Sequence, residues 1–359
     1  MIVVDAHAEG RAIKVANPSH PAPIAKDHPP FMHKSMIRFV LFYGPIIALI
    51  AFVAVMLIAP RDIKILAYRH CLGDLLWLFV PYVLLAFVQM RLELKRRAWP
   101  GATGAALAIG VGLVLLYARF IEPERIVIRE TQLSIGAPLR IALIADVHIG
   151  FFQDERRTQQ IVDALNRLDV DVVAVAGDWT YEPTRPLVEL LAPLSGLRHR
   201  MISVPGNHDE EQPGPPLAVE LRETLLRYNV EPVEGKSVIV KGVEFVGMGD
   251  RWAKKDWIPP LIDDRKPLIA LAHNPDSYVR LAGTSIGTML AGHTHGGQIN
   301  IPWLTAWALT GATKGAFKRG LYERDAAGPR QVFVTAGLGT VGLPMRLFQP
   351  PVIDVLICK

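Results

Sequence analysis

The sequence predicts an α/β domain preceded by membrane-spanning helices, and two observations support this. Half of the 359 residues are hydrophobic and the mean hydropathy is +0.26, which is high for a soluble enzyme. After Arg140, short apolar runs alternate with segments of helical spacing, which is typical of an α/β fold. The length alone allows about two domains at roughly 150 residues each.

Apolar segments dominate the first third of the chain. Residues 1–36 are polar and rich in proline, so we expect a flexible tail. Residues 37–120 are predicted to form a transmembrane region with about three helices. The first span (39–59) and the third (98–118) are each 21 residues without a charge, enough to cross a bilayer core. The second (71–90) includes Asp74, and a re-entrant or interfacial segment is the alternative there.

Positive charge is concentrated in the membrane region. Residues 1–97 carry 12 Lys and Arg against 6 Asp and Glu, whereas residues 98–359 carry 27 against 28. A nucleic-acid-binding domain needs a basic face, so the near-neutral C-terminal part argues against such a partner. If there are three spans, the flanking Lys and Arg residues slightly favour a cytoplasmic N-terminus and an exported C-terminal domain. If there are two spans, the C-terminal domain lies in the cytoplasm.

Helices and strands alternate along the C-terminal domain, 121–359. A strand pair over 238–246 is predicted to turn at Lys241-Gly242. The other predicted elements are helices over 158–168, 187–194 and 217–228, and strands over 140–146, 170–176, 200–204, 267–272, 288–291, 331–335 and 352–357.

Residues that can bind metals follow five of these strands. In open α/β sheets, sites form beyond the carboxyl ends of strands, so five distant loops can converge. Each motif alone is a common turn, but five at strand ends favour a functional site. Only Cys71 and Cys358 are present, so a metal would be held by His, Asp, Glu or Asn. The motifs are Asp146-Val-His148, Gly177-Asp178, Gly206-Asn207-His208-Asp209, His273-Asn274-Pro275 and Gly292-His293-Thr294-His295.

This series of motifs resembles the signature of the calcineurin-like metallophosphoesterase superfamily, over about residues 140–359. Gly296-Gly297-Gln298 and the segments 337–340 and 343–346 resemble the bacterial membrane-associated phosphodiesterase branch. The resemblance implies two packed sheets flanked by helices, and together with the predicted spans it indicates a multi-pass protein of the bacterial inner membrane. Some members of that branch cleave the pyrophosphate of UDP-2,3-diacylglucosamine.

The resemblance also implies a site with two divalent transition-metal ions. A mixed nitrogen and oxygen ligand set suits Mn, Fe, Zn or Co. His208 would be the catalytic histidine, and Asp209 would orient and charge it. The implied ligands are Asp146, His148 and His295 for the first metal, Asn207, His273 and His293 for the second, and Asp178 as the bridge.

Three further residues are candidates for substrate binding. Trp303 and Trp307 lie in 301–309, an apolar loop predicted to touch the membrane surface or acyl chains; a lid packed on its own domain is the alternative. Arg251 begins the polar and aromatic stretch 251–257, which would bind a phosphate or merely line a loop.

The sequence therefore predicts a membrane-anchored, metal-dependent phosphoesterase. Its substrate would be a phosphodiester or pyrophosphate of a lipid-linked or envelope compound, including UDP-2,3-diacylglucosamine. One alternative is a broad phosphodiesterase that acts on soluble esters. Another is a non-catalytic membrane scaffold, against which His208 argues because it is not an implied metal ligand. The sequence gives no indication of an oligomeric state.

Overall fold

The computed structural model describes residues 34–58, 76–210, 215–314, 317–323 and 329–359. Residues 1–33 of the predicted tail lie outside this part of the chain, and residues 34–36 already belong to the first helix. The α-helices of the described chain are α1 (Lys34–Ile58), α2 (Phe79–Lys95), α3 (Trp99–Phe120), α4 (Glu155–Leu165), α5 (Leu187–Leu190), α6 (Ala218–Arg227) and α7 (Pro302–Ala312).

Helices α2 and α3 form a hairpin before the α/β domain. Small residues of α3, among them Ala102 and Ala105, are buried against α2. A Cβ atom on Gly112 would collide with the Val83 side chain, so glycine permits the close approach of the two helices.

Within the described residues, one segment, Trp99–Glu124, is long and apolar enough to cross a membrane. The prediction of about three transmembrane helices is therefore not confirmed. Helix α1 covers the first predicted span as far as Ile58. The second predicted span starts at 71–75, outside the described residues, and α2 has only 17 residues with Arg91, Glu93 and Lys95 near its end.

The α/β domain contains two six-stranded sheets. The strands are β1 (Val127–Leu133), β2 (Leu139–Ile144), β3 (Ile149–Gly150), β4 (Val172–Ala176), β5 (Thr180–Tyr181), β6 (Met201–Val204), β7 (Val230–Pro232), β8 (Ser237–Val240), β9 (Val243–Gly247), β10 (Leu268–Leu271), β11 (Thr288–Ala291), β12 (Gly320–Glu323), β13 (Gln331–Val334) and β14 (Val352–Cys358). The sheet orders are β1-β14-β2-β4-β6-β7 and β12-β13-β11-β10-β9-β8, while β3 and β5 pair separately.

Most neighbouring strands are parallel, which places their carboxyl ends on one side. In the first sheet β2, β4, β6 and β7 run parallel, and β14 is antiparallel to β2. In the second sheet β9, β10, β11 and β13 run parallel, with antiparallel β8 and β12 at the edges. The loops after β2, β4, β6, β10 and β11 are the ones that carry the sequence motifs.

The two sheets pack face to face, and this sandwich is the main core. Ile141, Leu143 and Ala174 of the first sheet belong to one buried cluster with Phe245 and Leu271 of the second. The opposite face of the first sheet packs on α4, α5 and α6. Strands covered on both faces are apolar throughout, as β4 shows with five buried residues.

The predicted elements of the α/β domain are present, with ends within four residues, including the turn at Lys241-Gly242. The prediction that 301–309 is a loop is wrong, because the segment forms helix α7. Pro302 is favourable in the first turn of a helix, and no glycine or further proline interrupts the chain before Gly311. Strand β1 was not predicted; it pairs in parallel with β14.

Candidate metal centre

Backbone hydrogen bonds hold the motif loops of both sheets together. The Asp146 N–H donates to Gly177 O at 2.9 Å, and the Gly292 N–H donates to His273 O at 2.9 Å. The His293 N–H donates to the Asp146 carboxylate at 3.0 Å, which joins the first sheet to the second. The loops therefore converge at the carboxyl ends of the strands.

Asp146, His148 and His295 form one buried cluster of ligand atoms. The two Nε2 atoms of His148 and His295 lie 3.0 Å apart, and His295 Nε2 is 3.8 Å from Asp146 Oδ1. One atom from each of the three residues lies within 4.8 Å of the others. These side chains could hold one metal ion.

Asp178, His273 and His293 form a second cluster of the same kind. His273 Nε2 lies 3.1 Å from Asp178 Oδ2 and 3.1 Å from His293 Nδ1. The side-chain oxygen of Asn207 is 3.0 Å from the same His273 nitrogen. Asn207 thus adds a fourth possible metal ligand to this cluster, and all four residues are buried.

One carboxylate oxygen faces both clusters. Asp178 Oδ2 lies 3.1 Å from His273 Nε2 in the second cluster and 3.6 Å from His148 Nε2 in the first. The other oxygen, Oδ1, accepts a hydrogen bond from the His208 N–H at 2.9 Å. This is the position that a ligand shared by two metals would occupy.

The protonation states suit a site for cations. Burial lowers the pKa of His148 and of His293 to about 3 and that of His295 well below its ordinary value, so these imidazoles are neutral. Two N–H groups cannot face each other at 3.0 Å, so at most one of the Nε2 atoms of His148 and His295 carries a proton. At least one of these nitrogens therefore presents a lone pair to the cluster. Converging neutral imidazoles and carboxylates fit transition-metal ions.

Asp178 and His273 are the charged pair of the site. Burial alone disfavours the charged form of both groups. The neighbouring histidines nevertheless hold the pKa of Asp178 well below its usual range, and Asp178 raises the pKa of His273 to about 10. Burial also raises the pKa of Asp146 to about 7. A bound cation would take the place of the proton on His273.

Backbone carbonyls fix the orientation of three of the histidines. His148 Nδ1 lies 3.3 Å from Thr180 O and His273 Nδ1 lies 2.8 Å from Ala176 O. His293 uses the opposite ring nitrogen, with Nε2 at 3.0 Å from Ala312 O. Donation from these nitrogens leaves the other ring nitrogen of each histidine free to bind a metal.

Left-handed backbone conformations occur at five of the implied ligands. Such φ values are costly for residues other than glycine and are concentrated at functional sites. The residues and angles are Asp146 at 51°, His148 at 53°, Asp178 at 54°, His293 at 72° and His295 at 52°.

His208 stands at the rim of the two clusters. Its ring is partly exposed and makes edge-to-face contacts with His148 and Tyr181, at centroid distances of 5.1 and 5.0 Å. The neighbouring Asp209 is fully buried and accepts from the backbone N–H groups of Trp179, Thr180 and Gly206 and from the Thr180 hydroxyl. None of these four donors is the His208 ring. The Asp209 carboxylate therefore holds the loop after β4 against the loop after β6.

The candidate substrate residues occupy different surroundings. Arg251 pairs with buried Asp256 at 2.9 Å, while its neighbour Trp252 places its ring 4.8 Å from that of His293. Trp303 and Trp307 are about three-quarters exposed on α7. The two indole rings are therefore not packed on the α/β domain, whereas Thr305 of the same helix is buried and donates to Ile299 O at 2.7 Å.

Sequence reasoning missed Arg346 as a part of the site. Its guanidinium is fully buried and donates to backbone carbonyls of the segment 336–339 that lies over Asp146. A Cβ on Gly337 would lie 2.6 Å from Asp146 Cβ, so the segment touches this ligand closely. Position in the segment 343–346 was the only signal in the sequence.

Comparisons with known proteins agree with this geometry. Residues 139–297 match the family model described as calcineurin-like phosphoesterase. A Helicobacter pylori (strain J99) protein named as a metallophosphoesterase is 31% identical over 271 residues, which is 70% of each chain. The Escherichia coli phosphodiesterase YaeI is 26% identical, over 73% of this chain and 98% of its own.

The name of a mammalian relative describes both a metallophosphoesterase domain and a transmembrane protein. The transmembrane protein with metallophosphoesterase domain of Bos taurus is 30% identical over 62% of this chain and 53% of its own length. The family match, the identity to the Helicobacter protein and the two His/Asp clusters point the same way. The chain belongs to the calcineurin-like metallophosphoesterase family and is a metal-dependent phosphoester hydrolase.

Proposed function

We propose that this protein is a membrane-anchored enzyme that hydrolyses a phosphodiester or pyrophosphate bond at a pair of divalent metal ions. The observation that carries the proposal is the position of Asp178 Oδ2 between the two clusters, 3.6 Å from His148 Nε2 and 3.1 Å from His273 Nε2. A single structural metal would need only one cluster.

The residues divide between two metal positions. A bound metal pair supplies an acidified water as nucleophile and neutralises charge on the phosphoryl oxygens. The ligand set contains both nitrogen and oxygen atoms, which suits Mn, Fe, Zn or Co. The proposed ligands are Asp146, His148 and His295 for one ion, Asn207, His273 and His293 for the other, and Asp178 for both.

His208 is the proposed proton donor to the leaving group. Its ring lies beside His148, is partly exposed, and its backbone is fixed by the bond from its N–H to Asp178 Oδ1. A substrate phosphoryl group bound at the two clusters would therefore meet the His208 imidazole at the open side. General acid catalysis of this kind contributes about 10²- to 10⁴-fold.

The membrane anchor supports a lipid-linked or envelope substrate. Trp99–Glu124 is long and apolar enough to span a bilayer, and its end is joined to the α/β domain through Glu122, whose carboxylate accepts from Phe348 and Gln349. Relatives from Bos taurus and Danio rerio are named as transmembrane proteins. Anchoring raises the local concentration of substrates that lie in the membrane.

Replacing His208 separates this function from a scaffold role. We expect His208→Ala to retain both metals by elemental analysis and to hydrolyse bis(4-nitrophenyl) phosphate 10²- to 10⁴-fold more slowly. His199→Ala is the matched control, because His199 contacts Leu165 O at 3.1 Å outside the motifs. Absence of metal-dependent hydrolysis in the wild type would favour the scaffold.

The same preparation tests the substrate class. A lipid-linked substrate predicts a higher kcat/KM for a phosphodiester or pyrophosphate carrying acyl chains, UDP-2,3-diacylglucosamine included, than for its soluble headgroup. Equal values would favour the broad phosphodiesterase that acts on soluble esters.

A further inference from the structure

Helix α7 exposes large apolar side chains next to the metal centre. Trp303 is 75% exposed and Trp307 is 74% exposed, and the helix contains no charged residue. A surface helix of a soluble domain normally has a polar face toward water. An exposed apolar helix of this kind marks an interaction surface.

The start of α7 is tied to the end of α3 by one intervening segment, 345–348. On one side the Arg346 N–H donates to Ala118 O at 2.9 Å. On the other side the Asn300 N–H donates to Leu347 O at 2.8 Å, two residues before α7 begins. Helix α7 therefore starts beside the domain-side end of α3.

Aromatic side chains mark the same end of α3. The rings of Trp77 and Phe120 are in contact, with centroids 4.5 Å apart. Phe348 is 67% exposed, and its N–H donates to Glu122 at 3.0 Å. Trp is enriched at membrane interfaces, so the position of Trp77 indicates that α3 would leave the bilayer at this level.

The other end of α7 is bonded to the metal centre. Ala312 O, in the last turn, lies 3.0 Å from His293 Nε2. The Thr313 hydroxyl, just after the helix, donates to Asp276 at 2.8 Å, in the loop that also carries His273. Helix α7 thus spans from the anchor to the second cluster of ligands.

From these contacts we propose that α7 lies in the headgroup layer of the bilayer, with Trp303 and Trp307 inserted among the lipids. The metal centre then opens at the membrane surface, and its substrate class is a phosphoester in the headgroup of a membrane lipid. This inference rests on the proposed function for its anchor and its reaction, and it adds the partner surface and the place of the scissile bond.

Lipid-borne quenchers test this contact directly in the full chain. Single cysteines are introduced into a Cys71→Ser, Cys358→Ala background, labelled with an environment-sensitive fluorophore, and reconstituted in phosphatidylethanolamine and phosphatidylglycerol vesicles. Trp303→Cys and Trp307→Cys report on α7. Leu107→Cys, 70% exposed in the middle of α3, reports on the anchor, and Val219→Cys, 70% exposed on α6, is the matched apolar control.

We expect a quencher attached near the lipid headgroup to reduce the emission from positions 303 and 307 at least twofold more than that from position 219. A quencher near the bilayer centre should act most strongly at position 107. Quenching at position 107 with none at 303 and 307 would overturn the proposal. A blue-shifted emission at 303 and 307 that the lipid quenchers do not reduce would also overturn it, because it would indicate contact with a protein partner.

Two further measurements keep the outcomes distinct. If the cysteine-free background does not fold, the difference between wild type and Trp307→Phe in tryptophan quenching by brominated lipids gives the same answer with native cysteines. Hydrolysis of bis(4-nitrophenyl) phosphate by the unlabelled protein is measured in the same vesicles. Loss of this hydrolysis with quenching intact contradicts the proposed function but supports the membrane contact.

Discussion

The Arg346 guanidinium donates two hydrogen bonds to the single carbonyl oxygen of Gly339, from Nε at 2.9 Å and from Nη2 at 2.7 Å. It also donates to Ala336 O and Gly337 O and reaches His295 O at 3.5 Å. Burial lowers the pKa of Arg346 to about 9, so the group still carries its charge at neutral pH. A buried cation thus ties segment 336–339 and the His295 backbone together beside Asp146.

Replacing Arg346 should weaken the first metal position selectively. Lysine cannot bond several carbonyls in one plane, so Arg346→Lys should release the segment over Asp146 and reduce metal affinity there about 10- to 100-fold. Elemental analysis after dialysis against graded chelator should find one metal per chain where the wild type retains two.

The control for this change is Arg200→Lys, since Arg200 bonds Ile239 O and Glu231 away from the motif loops. It should retain both metals. Retention of both metals by Arg346→Lys across the same chelator series would contradict a positioning role for Arg346.

Metal affinity should rise with pH. His273, with its pKa raised to about 10, carries a proton in the metal-free protein at neutral pH, and a metal must displace it. Between pH 7 and 9 the association constant should therefore increase about tenfold per pH unit. Below pH 7 the slope should steepen, because Asp146, with a pKa of about 7, also binds a proton.

Calorimetric titration of the metal-free protein with Mn²⁺, in buffers of different ionisation enthalpy, counts the protons released. At pH 8 we expect metal binding to release about one proton per chain, the one held by the Asp178–His273 pair. A proton count of zero, with affinity independent of pH, would show that His273 is neutral before the metal binds.

The sequence located the motif loops well because ligands must follow strands whose carboxyl ends meet. Periodicity and spacing show where those strands end. The same reasoning could not show the direction of the Asp209 carboxylate, whose partners are mostly backbone N–H groups, two of them in the loop after β4 and one in its own loop.

Arg346 and α7 were missed for related physical reasons. Every acceptor of Arg346 is a backbone carbonyl, and carbonyls have no sequence signature. Helices are recognised in a sequence by polar and apolar residues that alternate with a period of 3.6. The segment 301–309 is apolar on all sides, so it lacks this signal.

Removing the Asp209 carboxylate should destabilise the motif loops. Asp209→Ala leaves the buried N–H groups of Trp179, Thr180 and Gly206 without their acceptor, and each lost bond costs about 1–3 kcal/mol. We expect the free energy of unfolding to fall by about 4 kcal/mol in urea titrations of the metal-free protein. Asp163→Ala, an exposed change on α4, should stay within about 0.5 kcal/mol. A loss below 1 kcal/mol for Asp209→Ala would show that water replaces the carboxylate.

The helical hairpin leads to a prediction about the side of the membrane. The contact between Trp77 and Phe120 places the start of α2 and the end of α3 together, so the turn after α2 lies at the end away from the α/β domain. That turn and the helix before it carry four basic residues, Arg91, Lys95, Arg96 and Arg97.

Positive loops stay in the cytoplasm, so the α/β domain should be exported. Alkaline phosphatase, which is active only outside the cytoplasm, should be active when fused after Lys359, and a fluorescent protein that needs the cytoplasm should be dark. The opposite result would place the metal centre in the cytoplasm, where nucleotide-linked lipid precursors such as UDP-2,3-diacylglucosamine are available. An exported domain would exclude such cytosolic substrates and leave phosphodiesters of the cell envelope.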